Sequence, residues 1–125
     1  MNIVDSSGWL EYFADGANAD FFEPAIEDAE QLVVPSISIY EVFKCVLQQR
    51  EESDAVRAVA VMEQGTVVDL TSSLALIAAR LSLQHRLPLA DSVILATARA
   101  HTATLRTQDA DFRGIEGVRY AERKA

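Results

Sequence analysis

Asn2-Ile3-Val4-Asp5-Ser6-Ser7-Gly8-Trp9-Leu10 is the stretch from which the rest of the chain can be read. Asn2 to Val4 is short, apolar and β-branched, as a buried strand requires. Asp5 closes it, Ser6-Ser7-Gly8 punctuates it, and Trp9, Leu10 and Phe13 begin a helical spacing of apolar residues. That spacing resumes at Phe21, Phe22, Ala25, Ile26 and Ala29 after a break near Asp15-Gly16. The unit of strand, polar turn and helix then recurs. Leu32-Val33-Val34-Pro35 reads as a buried strand and 37–50 as a helix. A further helix is predicted over 54–64, with Ser53 as N-cap and Gly65 just past its end. Thr66-Val67-Val68-Asp69-Leu70 reads as a third strand. Leu74, Ile77, Ala78 and Leu81 mark a helix face behind Ser72 and Ser73. A helix over 89–101 follows Pro88, Ala103-Thr104-Leu105-Arg106 is a fourth strand, and Val118-Arg119-Tyr120 offers a fifth.

Strands separated by helices need crossover connections, hence a parallel sheet covered on both faces. The expected fold is a three-layer α/β/α architecture with a central parallel sheet of four to five strands, built as one domain over residues 1–125. The apolar, non-alternating strands fit burial on both sides. In such sheets ligands bind outside the carboxyl ends of the strands.

At 125 residues, half of them apolar, the chain can bury a core without a disulfide or metal staple. Cys45 is the only cysteine, which excludes an internal disulfide and a cysteine-only metal site. No run approaches a membrane span, and the start lacks the basic and apolar regions of a signal peptide, so the cytoplasm is the expected compartment. The net charge is −8, unevenly spread: residues 1–64 carry thirteen acids and three bases, residues 65–125 six acids and eight bases. That balance disfavours binding nucleic acid by broad phosphate neutralisation.

Several of the acids fall at one edge of the expected sheet. Asp5 ends the first strand, and Thr107, Asp109 and Asp111 follow the fourth. Asp91 lies in the first turn of the helix behind Pro88. Glu41 sits among Ile39, Tyr40, Val42 and Phe43 on the helix leaving the second strand. A carboxylate buried there needs a cation or a proton, and Lys44 is the only base within a turn. Each acid also has a plainer reading: Asp5 as a helix cap, Asp91 as a complement to the helix dipole, Asp109 and Asp111 as an Asx-type turn. Capping alone does not require four acids at one edge, and like charges so close repel unless a cation intervenes. Oxygen-only carboxylate ligands suit Mg²⁺, Mn²⁺ or Ca²⁺ in preference to zinc. Such a site suits hydrolysis of a phosphodiester, in which an ion acidifies water and stabilises the leaving oxygen. No other engine is evident: there is no glycine-rich phosphate loop, and Cys45, Ser6 and Ser7 have no identifiable base.

Val4-Asp5-Ser6-Ser7, Pro35-Ser36 with Glu41, Leu89-Ala90-Asp91-Ser92-Val93-Ile94-Leu95-Ala96-Thr97-Ala98 and Thr107-Gln108-Asp109-Ala110-Asp111-Phe112 resemble, in order and spacing, the PIN-domain family. More narrowly, the chain is similar to VapC-type toxins of toxin–antitoxin pairs. The resemblance implies a Mg²⁺- or Mn²⁺-dependent endoribonuclease with one or two ions, cytoplasmic and homodimeric, restrained by a cognate antitoxin. Carried over position by position, it implies Asp5, Glu41, Asp91 and Asp109 as catalytic and metal-binding residues. It implies Ser7, Thr107 and Asp111 in support. Two bound ions would move the formal charge from −8 to −4, leaving room for an RNA substrate engaged locally. Arg86, Arg99, Arg106 and Arg113 are the candidate RNA contacts.

Two other readings remain. A catalytically idle PIN-like module could grip only an antitoxin. A phospho-accepting receiver domain shares the length and alternation, with Asp69 as its third-strand acid. It also wants a lysine after its fifth strand, and lysines stand only at 44 and 124.

Overall fold

The computed structural model describes residues 1–124. Its strands are β1 (Asn2–Val4), β2 (Val33–Pro35), β3 (Thr66–Val68), β4 (Thr104–Thr107) and β5 (Val118–Tyr120). The helices are α1 (Ser6–Phe13), α2 (Ala19–Glu27), α3 (Ser36–Gln49), α4 (Glu52–Met62), α5 (Ser72–His85) and α6 (Leu89–Ala100). Short 3₁₀ turns occupy Ala29–Gln31 and Ala110–Phe112. All strand pairing is parallel. β4 lies between β1 and β5, β2 pairs with β3, and a bridge from Asn2 to Leu32 joins the two groups. The resulting order is β3-β2-β1-β4-β5, the three-layer α/β/α arrangement that the alternation predicts.

Period-two alternation distributes the strand side chains between two cores. Ile3, Val33 and Leu105 pack with Leu74, Ala78 and Leu81 of α5 and with Val93, Ile94 and Leu95 of α6. Val4 and Val34 point the other way, onto Trp9, Phe22, Val42 and Met62 of α1 to α4. The apolar faces of α1, α2 and α4 therefore supply core, and Val56 is the large apolar side chain left exposed on α4.

Several local expectations are corrected. α4 begins at Glu52 and is capped at Glu51, not Ser53, because the Asp54 carboxylate accepts from the Glu51 N–H. α5 is capped by Thr71, whose hydroxyl accepts from Leu74 N, so Ser72 and Ser73 lie inside the first turn. β3 stops at Val68, and Thr66 and Val67 are exposed: at the sheet's margin one side of the strand has no neighbour. The receiver reading also fails on topology. Asp69 follows β3 at that margin, and β2 separates β3 from β1 and Asp5.

Candidate active site

Three backbone devices deliver acids to one cleft. Asp5 leaves β1 in extended conformation and caps α1, its carboxylate accepting from Gly8 N at 3.0 Å. Asp109 leaves β4 as the cap of the Ala110–Phe112 turn, accepting from Asp111 N at 2.9 Å. Asp91 stands in the first turn of α6, behind a proline whose fixed φ suits a helix start. The capping readings are thus realised for Asp5 and Asp109, by the same carboxylates that face the cleft.

Thr107 ties β1 to β4 at this edge. Its hydroxyl donates to Asp5 Oδ2 at 2.8 Å and accepts from Asp109 N at 2.9 Å. Ser7 Oγ lies 2.9 and 3.0 Å from the two Asp5 oxygens. Glu41 is half-buried on α3, less enclosed than its apolar neighbours in sequence suggest. It accepts from Ser6 Oγ at 2.6 Å, which corrects the expectation that no basic group stands beside this serine. Lys44 does not serve Glu41; it lies over the Tyr40 ring.

The cleft has a volume of about 800 Å³, and Asp5, Glu41, Asp91, Gln108 and Asp109 all line it. Asp91, Asp109 and Asp111 form the tightest group, each able to place a carboxylate oxygen within 4.8 Å of the others. Asp111, ranked as supporting, is therefore part of the most compact donor set. Asp5 is 1 % exposed and buried by β1, β4 and α1. Burial pushes its carboxyl up to about 6, outweighing the lowering by Thr107, Ser7 and Gly8. Asp91 is pushed up to about 7, first by burial and then by repulsion from Asp109, Asp5, Glu41 and Asp111. Hard oxygen donors that repel one another in a shared cleft fit a divalent cation, which would satisfy both the charge and the lone pairs. His85 and His101 stay outside the cleft lining, at the ends of α5 and α6.

The four arginines singled out in the sequence lie elsewhere. Arg86 caps the C-terminus of α5 in the left-handed conformation, and Arg99 donates to the Glu116 carbonyl. Arg106 donates to the Phe21 carbonyl and packs on that ring, while Arg113 lies over Tyr120. None of the four lines the cleft; Arg50, Arg57 and Arg123 do. Periodicity and strand-end arguments carried no signal for these three, which lie at the end of α3, on α4 and in the segment after β5.

A family model, PIN domain, matches residues 3–118. No curated protein sequence matches the chain. Among solved structures, the chain is similar to one from a toxin–antitoxin complex from Klebsiella pneumoniae, with TM-score 0.80 and 23% identity over 95% of this chain and 96% of that one. It is also similar to VapC20 of Mycobacterium tuberculosis, described as a Sarcin-Ricin loop cleaving toxin, with TM-score 0.75 and 17% identity over 93% and 95% of the two chains. A third likeness is to VapBC2 of Rickettsia felis, bound to a DNA fragment from its promoter, with TM-score 0.73 and 13% identity over 97% of each chain.

Proposed function

The chain belongs to the PIN-domain family, and from that premise we propose that it is a divalent-metal-dependent endoribonuclease that hydrolyses RNA phosphodiester bonds in the acidic cleft. In this reading it is the toxin of a toxin–antitoxin pair, homodimeric and restrained by its antitoxin. The Sarcin-Ricin loop cleaving toxin among its structural relatives supports the substrate class. One observation carries the chemistry: acids from β1, α3, α6 and the turn after β4 meet in one open cleft, with Asp91, Asp109 and Asp111 within common ligand reach.

Asp91, Asp109 and Asp111 would hold one or two Mg²⁺ or Mn²⁺ ions, with Asp5 and Glu41 adding charge from the cleft wall. The bound cation would acidify the attacking water and offset the charge growing on the phosphate. The remaining work belongs to the chain. Thr107 keeps its proton toward Asp5 Oδ2 and fixes the backbone of Asp109 through its N–H. Ser7 and Gly8 hold the Asp5 carboxylate in one orientation, and Ser6 does the same for Glu41. Donors fixed in this way need no reorganisation when substrate arrives.

The test is incubation of purified protein with structured RNAs in Mn²⁺ or in EDTA, beside Asp91→Ala and Asp5→Asn. The expected outcome is cutting in Mn²⁺ that both variants lose by at least about a hundredfold, with near-native circular dichroism. Cutting that survives EDTA would exclude the metal mechanism, and cutting at the wild-type rate by Asp91→Ala would exclude the site.

A further inference from the structure

We infer that Arg50 and Arg123, with Arg57 beside them, form a phosphate clamp on the cleft, binding RNA phosphates that flank the scissile one. This deepens the ribonuclease reading above and rests on it. The three arginines come from three separate segments and line the same cleft as the acids. Residues 1–64 contain only three bases, Lys44, Arg50 and Arg57, against thirteen acids, yet two of the three line this cleft. The same lining carries seven acids, so these arginines are the groups among the described residues that can offset repulsion of an anion there. An anionic chain must be held against a wall of carboxylates, which repel it wherever no cation intervenes.

Spacing along α3 separates the clamp from the chemistry. Eight residues at about 1.5 Å each put Gln49 about 12 Å along the axis from Glu41, and Arg50 follows it. Arg50 thus reaches a neighbouring phosphate and not the reacting one. Arg57 is oriented by an ion pair with Asp54 at 2.5 Å, the only salt bridge among the described residues, which leaves Arg50 and Arg123 without an ionic partner there. Arg123 is placed by a buried pair. Asn18 Nδ2 donates to the Glu122 carbonyl at 3.0 Å and to Gln108 Oε1 at 3.0 Å. Asn18 and Gln108 are both buried, and Gln108 directly precedes Asp109. The segment after β5 and the Asp109 turn are therefore pinned to one another, which keeps Arg123 on the cleft wall.

The experiment measures binding of a fluorescent twelve-nucleotide RNA by anisotropy across a salt series, in an Asp91→Asn background in Mg²⁺, so that cleavage does not intrude. Arg50→Gln and Arg123→Gln are each expected to weaken binding about three- to tenfold and to flatten the log–log salt slope by about 0.7. Arg80→Gln, on the exposed face of α5, is expected to change neither. Asn18→Ser, which frees the segment without removing a charge, should weaken binding in the same direction as Arg123→Gln. Unchanged slopes for both arginine variants, with RNA still bound by the background protein, would overturn the clamp and leave the ribonuclease reading intact. Absence of RNA binding in the background protein would remove the clamp, and the cleavage assay with the unaltered acids would then decide the ribonuclease reading by itself.

Discussion

Asp5 accepts from Ser7, Gly8 and Thr107, three donors that each favour its ionised form, yet its carboxyl is pushed up to about 6. Enclosure at the end of β1 outweighs three hydrogen bonds, and this conflict is what a cation would relieve. Asp5, Asp91 and Asp109 were legible in sequence because a strand end or a first helical turn fixes where a side chain goes. Glu41 was legible because it interrupts an apolar run. For Asp111, nothing in the spacing of Asp109-Ala110-Asp111 says that the 3₁₀ turn brings both carboxylates within ligand reach of Asp91. Thr107 offers the sharpest single-residue test. Thr107→Val keeps the shape but leaves Asp5 Oδ2 and the Asp109 N–H without this partner. It should lose about 1–3 kcal/mol of stability by urea unfolding and push the Asp5 carboxyl further up by NMR titration. Thr107→Ser should restore most of both; equal stability of the Val and Thr proteins would show that the hydroxyl bridge is dispensable.

At the scale of elements, order and type were readable because periodicity switches cleanly between strands and helices, and the fifth strand was found from three residues. What was not readable depended on neighbours far along the chain. β3 has the composition of a buried strand and is exposed because it forms the margin of the sheet. α4 starts before Ser53 because the Asp54 carboxylate accepts from the Glu51 N–H and closes a capping box there. The convergence of Arg50, Arg57 and Arg123 is not legible in sequence because it depends on how α3, α4 and the segment after β5 are packed. Gly8 does more than punctuate the chain: it sits at the junction of β1, α1 and α2. A Cβ there would meet Val4 Cγ1 and Phe22 Cε1 at 2.6 Å, closer than any packed methyl can sit. Gly8→Ala should therefore cost about 1–3 kcal/mol through overpacking, read as a lowered midpoint in thermal unfolding. An unchanged midpoint would mean that α1 slides away from α2 without loss.

Over the whole molecule, the charge of −8 concentrates in the first half, and the cleft acids add repulsion at a single place. The folded chain then resists ionising its own site. Asp5 and Asp91 both have an ordinary value of 3.8 and are raised to about 6 and about 7 by folding. Between about pH 4 and pH 7 the folded state holds protons that the unfolded chain has released, so stability falls as pH rises across that window. The contribution of these groups is fully present below about pH 4 and lost above about 7. For Asp5 alone, about two pKa units correspond to about 3 kcal/mol; Asp91, half-exposed, adds less. A divalent ion held there would reverse the sign, because it would bind the deprotonated carboxylates and only in the folded state. In metal-free buffer, thermal midpoints should therefore decline from pH 5 to pH 7.5, and Asp91→Asn should flatten the decline. Millimolar Mn²⁺ should raise the wild-type midpoint at pH 7.5, do little at pH 5, and do little to Asp91→Asn at either. A wild-type midpoint indifferent to both pH and Mn²⁺ would mean that these carboxylates neither strain the fold nor bind the cation, and the site would lose its physical basis.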